Sequence, residues 1–93
     1  MASIAVRLSI QGRVQGVGFR AWAAHQAQRR GLTGWVRNCR DGSVEALIVG
    51  EAVDVESMID ACRLGPPLAQ VSAVLREPWR DDGATGFDQR PTA

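Results

Sequence analysis

The hydrophobic pattern of the chain changes its period after the first strand-like stretch. Apolar residues first stand at every second position, in Ile4, Val6, Leu8 and Ile10. This alternation predicts a half-buried strand over residues 4–13. Helical spacing follows, in Phe19, Trp22, Ala23 and Ala27. It predicts a helix over residues 19–30, with Gly31 as the residue that ends it.

Residues 33–49 have the composition of a β-hairpin. Aromatic and β-branched residues favour a strand over residues 33–39, and Asp41-Gly42 is a typical turn sequence. A third strand is predicted over residues 43–49, and its apolar second half indicates a central place in the sheet. Asn38 would therefore lie near the end of the second strand, just before the turn.

A second helix is predicted over residues 52–64. Its apolar residues stand at i, i+3, i+4 and i+7 and form one helical face: Val55, Met58, Ile59 and Cys62. The sequence Gly65-Pro66-Pro67 stops the helix, because neither glycine nor proline continues it well.

The remaining residues predict two more strands. Alternating apolar residues form the fourth strand, which ends by Pro78: Val71, Ala73 and Leu75. A short last strand is predicted around Phe87. We expect the final residues, 91–93, to form a loose tail.

The predicted order is β-α-β-β-α-β with a short extra C-terminal strand. Each half contains a crossover, and right-handed crossovers put both helices on one face of the sheet. These features predict an α+β fold, the ferredoxin-like split βαβ sandwich with an antiparallel sheet. The 93 residues have the length of one domain, and we expect a single domain over residues 1–93.

Charge and composition argue against several classes of function. The net charge is +1, which gives no broad positive field for capturing nucleic acid. All eleven basic residues are Arg, so the chain lacks a Schiff-base lysine and the lysine of Walker-type phosphate loops. Three Trp and two Phe are few for an RNA-recognition domain, which shares this strand order. We expect no nucleic-acid partner.

Histidine and cysteine are too few and too scattered for a metal site. His25, Cys39 and Cys62 do not have the spacing of metal ligands, and we expect no metal and no cofactor. No apolar run approaches a membrane span, and residues 1–7 do not read as a signal peptide. We expect a cytoplasmic monomer that binds no membrane. Its cysteines are expected to be free thiols, although the sequence also allows a bridge.

Residues 12–20 carry the clearest chemical signal. A glycine-rich turn between a strand and a helix can place several backbone N–H groups around one anion, and the helix N-terminus adds unpaired donors. Arg20, in the first helical turn, can bind two phosphate oxygens at once. A cation at this position opposes the helix dipole unless an anion binds there. The segment therefore indicates a phosphate-binding loop.

Two separated motifs show a family resemblance. Residues 12–20 read Gly-Arg-Val-Gln-Gly-Val-Gly-Phe-Arg, and residues 34–44 read Gly-Trp-Val-Arg-Asn-x-x-x-Gly-x-Val. With the segments 30–34 and 65–69, they closely resemble the acylphosphatase family over essentially the whole chain. The resemblance implies hydrolysis of acyl phosphates, which are carboxylic-phosphoric mixed anhydrides, to a carboxylate and inorganic phosphate without a metal. The expected partner is therefore a small-molecule acyl phosphate.

The resemblance also implies roles for individual residues. Arg20 and Asn38 correspond to the family's phosphate-binding arginine and water-positioning asparagine. The loop that would hold the phosphate consists of Gln15, Gly16, Val17, Gly18, Phe19 and Arg20. Ala21 and His25 depart from the family pattern, since relatives often have an aromatic and an arginine there. These two departures bear on the preferred acyl group.

A second interpretation stays open at this point. The same fold and loop could serve a non-catalytic anion-binding module, or a regulatory module that handles carbamoyl phosphate. Acylphosphatase-like domains also occur at the start of large carbamoyltransferases of hydrogenase maturation. Turnover of an acyl phosphate would distinguish the enzyme from such a module.

Overall fold

The structure is a computed structural model that describes residues 2–93. Its elements follow in the order β1 (Ser3–Arg13), α1 (Phe19–Arg29), β2 (Thr33–Asn38), β3 (Val44–Glu51), α2 (Ala52–Leu64), β4 (Gln70–Pro78) and β5 (Phe87–Gln89). The predicted order of elements is confirmed, and α2 has the predicted bounds.

The strands form one five-stranded sheet in the order β4-β1-β3-β2-β5. The four long strands pair antiparallel, as the predicted fold requires, and the short β5 adds to the edge of β2 in parallel orientation. Ile10 pairs with Val44, and Val44 pairs with Asn38. The end of β1, the start of β3 and the end of β2 therefore meet at the same end of the sheet.

The main core lies between the sheet and the two helices. Strand β1 contributes Val6, Leu8 and Ile10 to it, as its alternation predicts. The four residues of the predicted apolar face of α2, from Val55 to Cys62, are all buried in the same cluster. Burying a Val, Ile or Met side chain contributes about 1.5–3 kcal/mol each, so this face fixes α2 on the sheet.

A bulge in β4 changes the predicted alternation of that strand. The pairing with β1 shifts between Gln11 and Gly12, so that Ser72 has no partner in the register. One extra residue moves every following side chain to the other face of the sheet. As a result, Val74 is buried in the core, whereas Leu75 is 56% exposed. The alternation predicted to continue to Leu75 is therefore wrong past the bulge.

The final residues are not loose, contrary to the prediction. The Ala93 N–H donates to the Asn38 carbonyl at 3.0 Å, and the Arg40 N–H donates to the Ala93 carbonyl at 2.9 Å. The Arg90 N–H donates to the Val36 carbonyl at 2.8 Å. These bonds continue the edge pairing of β5 along β2, because the backbone groups at that edge need partners. The C-terminal segment thus lies against the strand that carries Asn38.

The face of the sheet opposite the helices carries a buried charge cluster. Glu45 is only 7% exposed, and its carboxylate accepts hydrogen bonds from Arg7 and, at 2.6 Å, from Arg37. The Arg37 guanidinium also lies 4.7 Å from the centre of the Trp35 ring, whose Nε1–H donates to Asp82 at 3.1 Å. Arg37 is therefore a charge on the sheet surface, and it is held by Glu45.

The buried thiol of Cys62 makes the stability of the fold depend on pH in the alkaline range. Burial raises the pKa of Cys62 to about 12, whereas an unfolded thiol ionises near about pH 8.5. Above that pH the unfolded chain binds fewer protons than the folded one. The free energy of unfolding should therefore fall between about pH 9 and about pH 12, by up to about 1.4 kcal/mol per pH unit.

Urea unfolding of the wild type and of Cys62→Ala, measured from about pH 8 to about pH 10.5, tests this dependence. The chain has no Lys and no Tyr, so few other groups titrate there. Cys62→Ala should be less stable at the lower pH, because it leaves a cavity, but its stability should fall less steeply with pH. Equal slopes for the two proteins would contradict the prediction.

Candidate active site

The loop between β1 and α1 depends on two glycines with positive φ. Gly16 has φ of 73° and Gly18 has φ of 77°, a left-handed conformation that glycine adopts without strain. A Cβ built on either residue would meet no heavy atom within 4 Å. The loop backbone therefore borders open space on the side where other residues would carry a side chain.

The N-terminus of α1 keeps its backbone donors available. Among the described residues, no side chain caps Gly18, and the first turn of α1 contains no acidic residue. The Trp22 N–H donates to the Gly18 carbonyl at 3.1 Å. The N–H groups before Trp22 have no partner within the helix. By contrast, α2 carries Asp54 in its first turn. The start of α1 therefore favours an anion from outside the helix.

Arg20 brings a full positive charge to this helix end. Its side chain is half-buried in the first turn of α1. In residues 2–93, ion pairs are made by Arg7, Arg37, Arg76 and Arg90, not by Arg20. A guanidinium without a carboxylate partner, beside unpaired backbone donors, can bind two oxygens of one phosphate group.

A cavity of about 180 Å³ joins this helix end to the end of β2. The residues that line it come from the loop, from α1 and from two strands: Val14, Gly16, Gly18, Phe19, Arg20, Ala21, Asn38 and Gln89. Its volume lies below the roughly 300–1,000 Å³ of pockets for drug-sized ligands, and it suits a smaller molecule. Five of the seven predicted site residues, Arg20 and Asn38 among them, thus border one cavity.

Two residues of the predicted phosphate-binding segment do not line the cavity. Val17 packs against the main core. The side chain of Gln15 points to the β2–β3 turn, where its Nε2 donates to the Cys39 carbonyl at 2.7 Å and to the Ser43 carbonyl at 2.9 Å. Phe19 borders the cavity, but its ring is 2% exposed and packs edge-to-face on Trp22, with 5.2 Å between the ring centres.

Asn38 reaches the cavity because the sheet register places it there. It is the last residue of β2 and pairs with Val44, the first residue of β3. Its backbone carbonyl accepts the hydrogen bond from Ala93, so that the C-terminal segment supports it from the edge of the sheet. The side chain is half-buried at the open end of the strand.

Sequence reasoning missed Gln89 as a residue of this cavity. Gln89 lies on β5, which pairs with β2 through contacts such as that between Val36 and Gln89. A three-residue strand has no pattern that predicts its partner. Ala21, which departs from the family pattern, also lines the cavity.

The other residues that could carry chemistry lie elsewhere. His25 is exposed on α1, and Cys39 and Cys62 are free cysteines. Within residues 2–93, no three His, Cys, Asp or Glu side chains come together in a way that could hold a metal ion. Neither of the two helices described is long and apolar enough to cross a membrane.

Comparisons with known proteins agree with the resemblance. The sequence profile of the acylphosphatase family matches residues 6–89. An acylphosphatase from Alcanivorax borkumensis is 58% identical, over 78% of this chain and 79% of its own length. One from Acidiphilium cryptum is 48% identical, over 96% of this chain and 98% of its own length.

The fold agrees as well. The solved structure of an acylphosphatase from Coxiella burnetii is similar with a TM-score of 0.91 and 33% identity, and the match covers 95% of this chain and 93% of that one. The ferredoxin-like sandwich and the family resemblance are thus confirmed. The chain belongs to the acylphosphatase family, whose enzymes hydrolyse acyl phosphates.

Proposed function

We propose that this chain hydrolyses acyl phosphates by holding the phosphoryl group in the loop of residues 15–20 and aiming a water molecule with Asn38. The observation that carries the proposal is that Arg20 and Asn38, from different elements, line the same small cavity. Arg20 suits an anion, and Asn38 suits a water molecule. A site that only binds phosphate would not need Asn38.

The phosphoryl group is held by charge and by oriented donors. Its oxygens accept from the free N–H groups at the start of α1, and Arg20 binds two of them. Phosphoryl transfer places its developing charge on these same oxygens, so fixed donors stabilise the transition state without reorganising. Arg20 and the helix end thereby do the work that a lysine does in Walker-type loops.

Asn38 positions the attacking water. A side-chain amide can accept a hydrogen bond from water through its oxygen and donate through its N–H₂ group. The amide is not basic enough to remove a proton, so the proton goes to an oxygen of the substrate's own phosphate. The water oxygen bonds to phosphorus as the bond from phosphorus to the acyl oxygen breaks. The electron pair stays on the carboxylate, and the second product is dihydrogen phosphate.

The leaving group explains why the site needs no general acid. A carboxylate is stable as an anion at neutral pH, since its conjugate acid has a pKa near about 4. The enzyme therefore needs only to hold the substrate and the water in an attacking geometry, which is a large part of catalysis in phosphoryl transfer. The residues of the cavity can do both: Arg20 and the start of α1 hold the phosphoryl group, and Asn38 holds the water.

We further propose that residues 1–93 act as one domain, as a cytoplasmic monomer whose partner is a small acyl phosphate and not nucleic acid. The free thiols of Cys39 and Cys62 suit a reducing compartment. The net charge of +1 gives little attraction to nucleic acid. This chain matches almost the whole length of relatives that are named acylphosphatase. Such matches do not favour the non-catalytic module.

Replacing Arg20 by Ala should weaken phosphate binding. Loss of a charge-assisted contact of about 1.5–3 kcal/mol corresponds to about a 10- to 150-fold weaker affinity. Inorganic phosphate should stabilise the wild type against thermal unfolding, because it binds the folded state, and should stabilise Arg20→Ala much less. Arg29→Ala is the matched control, since Arg29 is an exposed arginine in the last turn of the same helix. Equal stabilisation of Arg20→Ala and Arg29→Ala would contradict the role of Arg20.

Replacing Asn38 by Ala should slow turnover strongly and leave phosphate binding nearly intact. The loss of a positioned water should lower kcat for benzoyl phosphate by about 10²- to 10³-fold. The apparent affinity for inorganic phosphate should change by less than about threefold, because the loop and Arg20 remain. Hydrolysis of benzoyl phosphate by Asn38→Ala at the wild-type rate would refute the assignment.

A further inference from the structure

We propose that Gln15 is a positioning residue, which sets the place of Asn38 relative to the phosphate-binding loop. The inference rests on the proposed function, in which Asn38 aims the water. It gives the side chain of Gln15 a role other than contact with phosphate. Gln15 lies in the loop after β1, whereas its hydrogen-bond partners lie in the turn between β2 and β3.

The Gln15 amide joins these two segments through both of its N–H bonds. Nε2 lies 2.7 Å from the Cys39 carbonyl oxygen and 2.9 Å from the Ser43 carbonyl oxygen. The partners are 24 and 28 residues further along the chain, so the amide closes a long-range connection. Both contacts are part-buried, where water competes less for the donors.

The turn that Gln15 holds is a small unit with its own hydrogen bonds. The Cys39 N–H donates to the Ser43 carbonyl at 2.8 Å, and the Gly42 N–H donates to the Cys39 carbonyl at 3.1 Å. The Asp41 carboxylate accepts from the backbone N–H of Ser43 at 2.9 Å and from its hydroxyl at 2.6 Å. These bonds make the turn rigid. The two hydrogen bonds from Gln15 to the Cys39 and Ser43 carbonyls therefore fix the position of the whole turn.

Asn38 moves with this unit because it directly precedes Cys39 in the chain. The other half of the site does not depend on Gln15 in the same way. The loop conformation is set by the positive φ of Gly16 and Gly18, and Arg20 belongs to α1. Loss of the Gln15 amide should therefore displace the water-positioning residue while the phosphate donors stay in place. A displacement of about 1 Å at a reacting group costs about 100-fold in rate.

The chemistry of the contact requires an amide at this position. Two carbonyl oxygens need a donor, and the N–H₂ group of glutamine provides two N–H bonds from one nitrogen. An ionised glutamate has the same length but only accepts, so it would repel both carbonyls. Methionine has a similar length and no donor, which makes Gln15→Met the variant that removes only the hydrogen bonds.

The first test compares how much the loss of the Gln15 amide changes kcat and how much it changes the affinity for phosphate. Gln15→Met should lower kcat for benzoyl phosphate by about 10- to 100-fold, with an inhibition constant for inorganic phosphate within about twofold of wild type. Gln28→Met is the matched control, since Gln28 also donates from Nε2 to a backbone carbonyl, that of Phe87 at 3.4 Å. Both constants of Gln28→Met should stay near the wild-type values.

Two kinetic outcomes would overturn the inference. One is a wild-type kcat for Gln15→Met. The other is an inhibition constant that rises as much as kcat falls, which would mean that the loop itself has collapsed. The result for Asn38→Ala keeps this test separate from the proposed function. If Asn38→Ala is inactive and Gln15→Met is normal, only the positioning role of Gln15 fails.

A spectroscopic test reports on Asn38 directly. Asn38 is the only asparagine of the chain, so protein labelled with ¹⁵N-asparagine gives one pair of side-chain amide signals. Gln15→Met should shift or broaden this pair, and Gln28→Met should leave it unchanged. Unchanged Asn38 signals in a folded Gln15→Met protein would contradict the inference whatever the rate.

A pH profile keeps the test usable if Gln15→Met does not fold. Gln15→Glu repels the two carbonyls when ionised, but a protonated glutamic acid recovers one O–H donor. Its rate relative to wild type should therefore rise as the pH falls from about 7 towards about 4.5, since the ordinary glutamate pKa is about 4.3 and neighbouring carbonyls raise it. A relative rate that is constant over this range would contradict the role of the donor.

Discussion

The register of β1, β3 and β2 is the constraint on which the rest of the site depends. Ile10, Val44 and Asn38 stand side by side across these strands. Ile10 and Val44 have no exposed surface, and a slip of one residue would turn their side chains out of the core. Core packing therefore fixes the register. The register in turn brings the loop after β1 and the turn after β2 to the same end of the sheet.

In the proposed mechanism, the site divides two tasks between two parts of the fold. The glycine loop and the start of α1 supply donors for an anion, and they lack the acidic residue that α2 has in Asp54. A helix N-terminus with a cation and no acidic residue is less stable than one with an acidic residue in its first turn. Such a loss of stability is common at functional sites. Asn38 is held by the sheet register and by the C-terminal segment, and the Gln15 amide binds the carbonyl of the next residue, Cys39.

Hydrophobic period and turn residues predicted the order of elements, the bounds of α2 and the loop before α1, because these features depend on neighbouring residues. The bulge at Ser72, the docking of Ala93 and the place of Gln89 were not predictable in the same way. Each depends on hydrogen bonds or pairing between distant backbone segments. The hydrogen bonds of the Gln15 side chain were not predictable for the same reason, since its partners are backbone carbonyls and every residue has one.

In the proposed mechanism, the site holds the phosphoryl group and directs water to phosphorus. The most direct measurement is hydrolysis of benzoyl phosphate in water enriched in ¹⁸O, followed by mass spectrometry of both products. Attack at phosphorus places the label in inorganic phosphate and leaves benzoate unlabelled, which is the predicted result. Label in the benzoate carboxylate would mean attack at the acyl carbon, and it would contradict the account of Arg20 and Asn38.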